Sequence, residues 1–359
     1  MNLPSLKIGD LLVKLPIIQG GMGVGVSMSN LAAAVAREGG IGIISGAQVG
    51  YKEEDFRKQN DLANINGLTK EIRKAKELAP NGLIGVNFLA ATNNYADMVR
   101  TAVKEKVDLI ISGAGIPKNL PELVMGSTTK IAPIVSSAKA ADTIVKFWKK
   151  RYDRLPDLIV VEGPEAGGHL GFKKEILLEG SAPTIYELTS DIVESMKKFE
   201  EKFSQKIPVI AAGGLFSGSD IRAALEAGAS GVQISTRLVA TVECDAHQNF
   251  KQAYIDANAD DIELVVSPVG LPGRAIINDF TRRVKAGQEK VTACYRCLNG
   301  CNPKTTPYCI TEALIASVTG DTTNGLVFVG TNGHLVKKMS TVKEVFNDIK
   351  AEYSATFAK

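Results

Sequence analysis

The sequence predicts a (β/α)8 barrel, the TIM-barrel fold of the α/β class, with a cysteine-containing C-terminal extension. Eight short, almost wholly apolar segments recur along the first 260 residues and alternate with helical patterns. Strands buried on both faces of a parallel sheet have such continuous apolar runs. Alternation with helices is typical of parallel strands joined by crossovers, and eight such units in roughly 260 residues match the size of this barrel.

The predicted strands share a short, apolar, β-branched composition. They are Pro16–Gln19, Gly42–Ser45, Ile84–Phe88, Leu109–Ser112, Ile131–Val135, Leu158–Val161, Val209–Ala212 and Val232–Ser235. Residues 20–25 follow the first strand and lack the G-x-G-x-x-G spacing that an open dinucleotide-binding sheet usually carries there. We therefore expect the strands to close into a barrel.

Helical patterns fill the intervals between these strands. They cover Ser29–Arg37, Gly67–Leu78, Tyr95–Glu105, Asn119–Met125, Ala138–Arg151, Tyr186–Phe203, Ser219–Ala227 and Asp245–Asn258, the last being the expected eighth helix. Beyond it the alternation stops, and a final helix is predicted at Val342–Glu352. We expect a barrel domain over residues 1–260 and an extension over residues 261–359 that packs on it.

Composition and charge exclude several classes of protein. Of the 359 residues, 45% are apolar and 23% are charged, which is typical of a globular chain. The 42 basic and 39 acidic residues leave a net charge of +3, so neither nucleic acid nor a membrane is expected as a partner. No apolar run approaches roughly 20 residues, and residues 1–15 lack a secretory signal. We expect a cytoplasmic protein with a small-molecule substrate, and a homodimer as one option.

The loops after the seventh and eighth strands predict a phosphate site. Gly213 and Gly214 follow the seventh strand, and Gln233, Ser235 and Thr236 lie at the end of the eighth. In TIM barrels phosphate commonly lies at these two loops, where backbone N–H groups and hydroxyls hold its oxygens. Either loop alone fits a tight turn or a helix cap, whereas the two together favour phosphate.

A glycine-rich loop after the sixth strand, residues 162–171, carries the candidate catalytic residue. Of the three histidines, His169 is the one that lies in such a loop at the expected catalytic face. An imidazole with a pKa near 6.5 is suited to accept or donate a proton. The adjacent Gly167 and Gly168 would let a flat ligand approach the backbone. The alternative is a structural histidine bonded to a loop carbonyl.

Two other loops offer contacts for an aromatic cofactor. Gly20, Gly21 and Met22 follow the first strand, and their backbone amides could hydrogen-bond to ring heteroatoms. Asn87 lies at the end of the third strand, where its amide can both donate and accept. Neither signal is specific by itself.

Five motifs follow one another along the chain: PIIQGGM at 16–22, GVNF at 85–88, EGPEAGGHLG at 162–171, AAGG at 211–214 and VQISTR at 232–237. This set resembles the nitronate monooxygenase (2-nitropropane dioxygenase) family over residues 1–280, and the third motif is its most specific part. The resemblance implies an FMN-containing barrel. The residues it places at FMN are Gly20, Gly21, Met22, Asn87, Glu162, Gly167, Gly168, Gly213, Gly214, Gln233, Ser235 and Thr236.

The resemblance also implies a reaction. His169 matches the family's catalytic base, which removes an α-proton from a nitroalkane. The nitronate then reduces the flavin, and oxygen completes the reaction. The phosphate of FMN would rest on Gly213, Gly214, Ser235 and Thr236, and its ring would lie against the other glycine loops.

The motifs are also similar to those of flavin-dependent enoyl-acyl-carrier-protein reductases. Glu162 stands where typical nitronate monooxygenases have a glutamine that contacts FMN, and this form of the loop resembles the reductases. In that case NAD(P)H would reduce FMN, an enoyl thioester would accept the hydride, and His169 would orient or protonate the enolate. An acyl carrier protein would then be a partner. A non-enzyme alternative is a flavin- or cluster-binding electron-transfer protein, against which the intact His169 motif argues.

Four of the five cysteines lie close together in the extension: Cys294, Cys297, Cys301 and Cys309. Their C-x2-C-x3-C-x7-C spacing suits tetrahedral zinc or a [4Fe–4S] cluster. It also resembles the iron–sulfur segment of some multi-cofactor flavin barrels, in which electrons enter the flavin from a cluster. The alternatives are unlinked thiols or, in an oxidising compartment, disulfides.

Overall fold

The computed structural model describes residues 2–358. Its strands are β1 (Leu6–Ile8), β2 (Leu11–Val13), β3 (Ile17–Gln19), β4 (Ile41–Ser45), β5 (Leu83–Leu89), β6 (Leu109–Gly113), β7 (Lys130–Val135), β8 (Ile159–Glu162), β9 (Gly168–His169), β10 (Val209–Ala212), β11 (Gly231–Ile234), β12 (Ile262–Val266) and β13 (Pro272–Ile276). Its helices are α1 (Ser29–Arg37), α2 (Asn60–Leu78), α3 (Tyr95–Lys104), α4 (Leu120–Leu123), α5 (Ala138–Tyr152), α6 (Lys174–Leu178), α7 (Ile185–Phe203), α8 (Gly218–Glu226), α9 (Thr236–Val239), α10 (Gln248–Asp256), α11 (Asp279–Lys285), α12 (Ile310–Val318) and α13 (Val342–Ala355). Two short 3-10 helices cover Ala259–Asp261 and Thr331–Leu335.

Among residues 2–358, eight parallel strands close into a barrel in the order β10, β11, β3, β4, β5, β6, β7, β8. The strand that closes the ring, β11, pairs with β10 through Ile210 and Gly231, and with β3 on its other side. Each predicted strand overlaps one barrel strand, so the predicted TIM barrel is confirmed. Inward side chains such as Ile18 and Ile43 are fully buried, which explains why these segments are continuous apolar runs.

A hairpin that the sequence analysis did not predict, formed by β1 and β2, precedes the barrel. Its Leu6, Ile8 and Val13 belong to the same buried apolar cluster as the barrel interior. Its Asp10 forms an ion pair with Lys130, the first residue of β7. The hairpin therefore covers the end of the barrel that lies opposite the carboxyl ends of the strands.

Each predicted helix has a counterpart, and the differences lie at the helix ends. α2 begins at Asn60, before the predicted start at Gly67. Gly67, inside the helix, allows the loop after β4 to pack closely, because a Cβ at this position would lie 2.6 Å from the Gly50 Cα. α10 is shorter than predicted at its start, because His247 Nδ1 accepts a hydrogen bond from the Asn249 N–H and caps the helix.

The helical ring around the barrel is completed by α13, not by α10 as expected. α13 packs between α8 and α1, the helices of the seventh and first units. Gly218 allows the close approach, because a Cβ there would lie 2.2 Å from the Tyr353 nitrogen. Arg237 Nη1 donates to the Glu352 carboxylate at 3.0 Å and ties α13 to α9. The prediction that α10 completes the ring was wrong because the chain between β11 and α13 first forms α9, α10 and most of the extension. The domain division at residue 260 stays a prediction.

The extension builds a second sheet over the loop that follows β8. β12 and β13 form an antiparallel hairpin, and β13 also pairs with β9, joining Gly273 to His169 and Arg274 to Gly168. A small apolar core that includes Phe280 and Tyr308 lies under this sheet. Within residues 2–358, no helix has the length and apolar character needed to cross a membrane.

Candidate active site

A cavity of about 620 Å³ lies at the carboxyl ends of the barrel strands. This volume is within the range of small-molecule sites. All the predicted catalytic and cofactor-binding residues line it: Gly20, Gly21, Met22, Asn87, Glu162, Gly167, Gly168, His169, Gly213, Gly214, Gln233, Ser235 and Thr236. The fold therefore brings together candidates from the ends of β5, β8 and β11 and from the loops after β3, β8, β10 and β11. Their individual roles stay predictions.

The first loop needs glycine for packing as well as for a ligand. A Cβ at Gly20 would lie 2.0 Å from Ser235 Oγ, and a Cβ at Gly21 would lie 2.3 Å from Asn87 Cβ. The loop after β3 therefore lies in direct contact with the end of β5 and with the first residue after β11. Their backbone forms one wall of the cavity, which a flat ring can approach without side chains in its way.

The loop after β10, the predicted phosphate cradle, contains two successive glycines with positive φ. Gly213 and Gly214 have φ of +87° and +82°, which favours glycine. The Gly214 carbonyl accepts a hydrogen bond of 2.7 Å from the Asn332 side chain of the extension. The hydroxyl-bearing Ser235 and Thr236 lie at the start of α9. Asn332 was missed by sequence analysis because nothing local relates it to the barrel loops.

One buried polar atom faces the cavity without a protein partner. Gln233 Oε1 is buried, and within residues 2–358 no group donates a hydrogen bond to it. Because buried amide oxygens are normally satisfied, this atom fits a donor from a bound ligand. Together with the glycine-walled cradle, it shows that the residues present are suited to a flat, phosphorylated, hydrogen-bonding cofactor such as FMN.

His169 is held by the extension. Its Nε2 lies 2.6 Å from the Ser267 hydroxyl oxygen, and its ring packs edge-on against Phe328 with centroids 5.0 Å apart. Burial lowers the pKa of His169 to about 4, so the imidazole is neutral at pH 7. Ser267 lies just before the turn that joins β12 to β13, and only that proline- and glycine-rich turn drew attention to this segment in the sequence.

A buried arginine fixes the glycine-rich loop. Arg274 Nη1 donates to the carbonyl oxygens of Pro164 at 2.8 Å and Ala166 at 2.7 Å. Burial lowers the pKa of Arg274, although a guanidinium stays charged under any physiological condition. The Thr331 N–H also donates to the Glu165 carbonyl at 3.1 Å. The loop that carries His169 is thus clamped by residues that the sequence analysis did not single out.

The charges around the cavity are unusual for a phosphate site. In the part of the chain that the structure describes, no lysine or arginine lines the cavity, whereas Glu162 and Glu165 do. Burial raises the pKa of Glu162 to about 7. A phosphate here would therefore depend on amide and hydroxyl donors.

The cysteine loop, residues 290–309, packs against the loop after β4. The rings of Tyr295 and Phe56 lie 5.4 Å apart, and Thr311 Oγ1 donates to Cys297 Sγ at 3.1 Å. All five cysteines are free thiols. Within residues 2–358 no three His, Cys, Asp or Glu side chains are arranged to hold a metal ion, so the metal assignment of the four cysteines stays a prediction. α12, which follows Cys309, contributes Leu314 and Ser317 to the cavity.

Known proteins are similar to this chain in sequence and in fold. A curated relative, the (3aS,4S,5R,7aS)-5-hydroxy-7a-methyl-1-oxo-octahydro-1H-indene-4-carboxyl-CoA dehydrogenase of Mycobacterium tuberculosis, is 26% identical over 76% of this chain and 66% of its own length. The chain thus spans just under two thirds of that relative. A probable nitronate monooxygenase of Staphylococcus haemolyticus is 27% identical over 76% of this chain and 78% of its own.

The solved structure of FabK from Thermotoga maritima superposes with a TM-score of 0.74 at 27% identity, covering 96% of this chain and 94% of that one. The family model for nitronate monooxygenase matches residues 5–352. This match covers nearly all of the sequence, from the β1–β2 hairpin to α13. The chain therefore belongs to the nitronate monooxygenase family of oxidoreductases.

Proposed function

We propose that this protein is an FMN-dependent oxidoreductase of the nitronate monooxygenase type, with His169 as the base that deprotonates a nitroalkane. The observation that carries the proposal is a neutral imidazole in the wall of a glycine-lined cavity. Family membership supports it. When bound, FMN supplies an acceptor and donor of electrons, which the protein's own side chains lack.

The proposed FMN contacts follow the wall of the cavity. Backbone amides of Gly213 and Gly214 and the hydroxyls of Ser235 and Thr236 would hold the phosphate. The ring would lie against Gly20, Gly21, Met22, Asn87, Gly167 and Gly168. Gln233 would accept a hydrogen bond from the cofactor through its unsatisfied Oε1. Glu162 completes the wall between these two regions.

His169 is arranged to accept a proton at one nitrogen. Its Nε2 is engaged with Ser267 Oγ, and within residues 2–358 no protein group bonds its Nδ1. If Nε2–H donates to the serine, Nδ1 carries the free lone pair and is the atom that would accept the substrate proton. Proton transfer would leave an imidazolium whose Nε2–H still has an acceptor. The substrate anion formed at the same moment balances its charge.

A second candidate is reduction of an enoyl thioester with NAD(P)H as the electron donor. Two observations favour it. Within residues 2–358, no lysine or arginine lines the cavity to pair with an anionic nitronate. The exposed apolar side chains Ile116 and Leu271 lie at the cavity wall, where an acyl chain would fit. The similarity to a dehydrogenase named for a carboxyl-CoA substrate agrees with this candidate. An acyl carrier protein would then be a partner.

The cysteine loop is the third part of the proposal: Cys294, Cys297, Cys301 and Cys309 would bind a [4Fe–4S] cluster or zinc. The sequence spacing supports it. Burial raises the pKa of Cys297, and the neighbouring thiols Cys301 and Cys294 raise it further. Iron, zinc and sulfide analysis of protein purified without oxygen tests this; finding none of the three contradicts it. A pure electron-transfer role is disfavoured by the complete His169 site.

Two further expectations complete the proposal. We expect a cytoplasmic location, since the five cysteines are unpaired thiols of the kind that a reducing compartment preserves. A homodimer is the expected oligomer, which sedimentation analysis would test.

Donor and acceptor preferences decide between the candidates. FMN-loaded protein is mixed anaerobically with a nitroalkane or with NADPH, and flavin reduction is followed by absorbance. The reduced protein is then mixed with oxygen or with an enoyl thioester. Reduction by the nitroalkane and reoxidation by oxygen support the first candidate. NADPH with the thioester supports the second. His247→Asn, which preserves a helix cap away from the cavity, is the control for variants of His169.

A further inference from the structure

Glu162 is a carboxyl group without a partner in the wall of the cavity. It ends β8 and pairs in register with Ala212, which pairs in turn with Gln233 on β11. Glu162 and Gln233 therefore lie two strands apart in one layer of the barrel. Within residues 2–358, no group donates a hydrogen bond to the Glu162 carboxyl or forms an ion pair with it.

The residue after Glu162 touches the proposed phosphate cradle. The Gly163 N–H donates to the Ala212 carbonyl at 2.8 Å, and a Cβ at Gly163 would lie 3.4 Å from the Gly213 carbonyl oxygen. The strand end that carries Glu162 thus borders the loop that would hold a group with a charge of roughly −1.5 to −2 near neutral pH.

Within residues 2–358, no lysine or arginine lines the cavity beside Glu162. The Arg274 guanidinium, which clamps the same loop, is engaged with the Pro164 and Ala166 carbonyls. The titratable side chains that line the cavity with it are Glu165, His169 and Tyr254. His169 is neutral at pH 7, because burial lowers its pKa to about 4. β10 and β11 have no charged residue, and the face of α7 that is buried behind β8 has none either. Lys130 lies at the opposite end of β7, paired with Asp10.

This environment makes the ionised carboxyl unfavourable. Burial without a hydrogen-bond donor or cation disfavours the charged form and raises the pKa of Glu162 to about 7. A second negative charge brought to the adjacent loop would disfavour it further, since like charges interact strongly where water is excluded. The neutral carboxyl has an O–H donor to offer, whereas the ionised one has none.

We propose that Glu162 controls FMN affinity through its charge: the protonated carboxyl belongs to the tightly binding form of the cavity, and its ionisation weakens binding. This inference rests on the proposed FMN site. It adds that cofactor loading falls as the pH rises through neutrality, and that one side chain is responsible.

The test is FMN titration of the apo-protein, followed by quenching of FMN fluorescence, between about pH 6 and pH 8.5. For the wild type we expect the dissociation constant to rise at least about tenfold more across this range than for Glu162→Gln. Both proteins share the titration of the FMN phosphate itself, so the difference reports on Glu162. Glu165→Gln, which removes a carboxyl from the same loop, should keep the wild-type pH dependence.

Equal pH dependence in the wild type and Glu162→Gln would overturn the inference. So would a Glu165→Gln variant that abolishes the pH dependence while Glu162→Gln keeps it. If Glu162→Gln does not fold, Glu162→Met, of similar length and no charge, is predicted to give the same weak pH dependence. Failure of the wild type to bind FMN at every pH would instead contradict the proposed function.

Discussion

His169 Nε2 and Ser267 Oγ lie 2.6 Å apart although 98 residues separate them in the sequence. The contact exists because β13 pairs with β9 and brings the extension onto the loop that carries the histidine. Ser267 is itself buried and accepts a weak hydrogen bond of 3.4 Å from the Val269 N–H. The barrel therefore supplies the proposed base, and the extension holds its ring through Ser267.

Ser267→Ala should lower the rate of flavin reduction by a nitroalkane about tenfold, because the imidazole loses the group that selects its tautomer. FMN affinity should stay near the wild-type value, since Ser267 does not line the cavity. Ser267→Thr keeps the hydroxyl and should restore most of the rate. Stopped-flow measurement of flavin reduction checks this; equal loss in the Ala and Thr variants would show that only packing was disturbed.

The rate of flavin reduction by a nitroalkane should fall on the acid side only at low pH. A base works only when unprotonated, and burial lowers the pKa of His169 to about 4. The rate of flavin reduction, measured per bound flavin, should therefore be nearly constant from about pH 8 down to pH 5, and fall as the pH approaches 4. A loss of rate centred near pH 6.5 would mean that His169 is not desolvated as described, or is not the base.

The barrel could be predicted because strands such as Gly42–Ser45 are buried on both faces and are therefore apolar throughout. The position of His169 and the glycines at one cavity could be predicted as well, because a loop that approaches a ligand uses such residues, whereas their roles stay predictions. Ser267, Arg274 and Asn332 could not be predicted, because their contacts arise only from the packing of the extension. Nothing in their local sequence distinguishes them from ordinary polar residues.

The failure over the eighth helix has a similar cause. Asp245–Asn258 and α13 have equally acceptable helical patterns, and only the closed ring decides which packs between α8 and α1. The close contact between Gly218, which has no side chain, and Tyr353 favours α13 in this position, and it joins residues far apart in the sequence.

The cradle at Gly214 can be tested with a matched pair of glycines. Gly214 and Gly287 both have positive φ, +82° and +69°. Alanine at either position should cost about 1 to 2 kcal/mol of unfolding free energy through backbone strain. Only Gly214→Ala should also weaken FMN binding, by at least about tenfold, because its Cβ would lie 2.4 Å from Glu165 Oε2 and disturb the cradle. Equal FMN affinity in the two variants would refute the cradle assignment.

Arg274→Met should destabilise the protein by about 2 to 4 kcal/mol, since two carbonyl groups lose a charged donor. The Arg282 side chain is exposed and, within residues 2–358, pairs only with Asp279, three residues earlier on α11, so Arg282→Met should change stability by less than about 0.5 kcal/mol. Thermal unfolding measures both. If the two variants are equally stable, Arg274 does not hold the loop of residues 162–171.

Glu162 should make the apo-protein less stable at alkaline pH. Its pKa is about 7 in the folded protein and near 4.5 when unfolded, so between these values the native state binds more protons. Stability from this group is therefore lost as the pH rises from 4.5 to 7, by about 2 to 3 kcal/mol. Glu162→Gln should be more stable than the wild type at pH 8 and similar to it near pH 4.5. Denaturant unfolding at the two pH values checks this; an equal difference at both would contradict it.

Comparing the His169→Asn variant on a neutral nitroalkane and on its preformed nitronate tests the central claim most directly. Flavin reduction in FMN-loaded protein is measured anaerobically with a neutral nitroalkane and, separately, with the same compound supplied as its preformed nitronate anion. If His169 is the base, the variant should lose at least about a hundredfold in rate with the nitroalkane and retain nearly the wild-type rate with the nitronate, which needs no deprotonation. Equal loss with both forms, or no loss with either, would contradict the account.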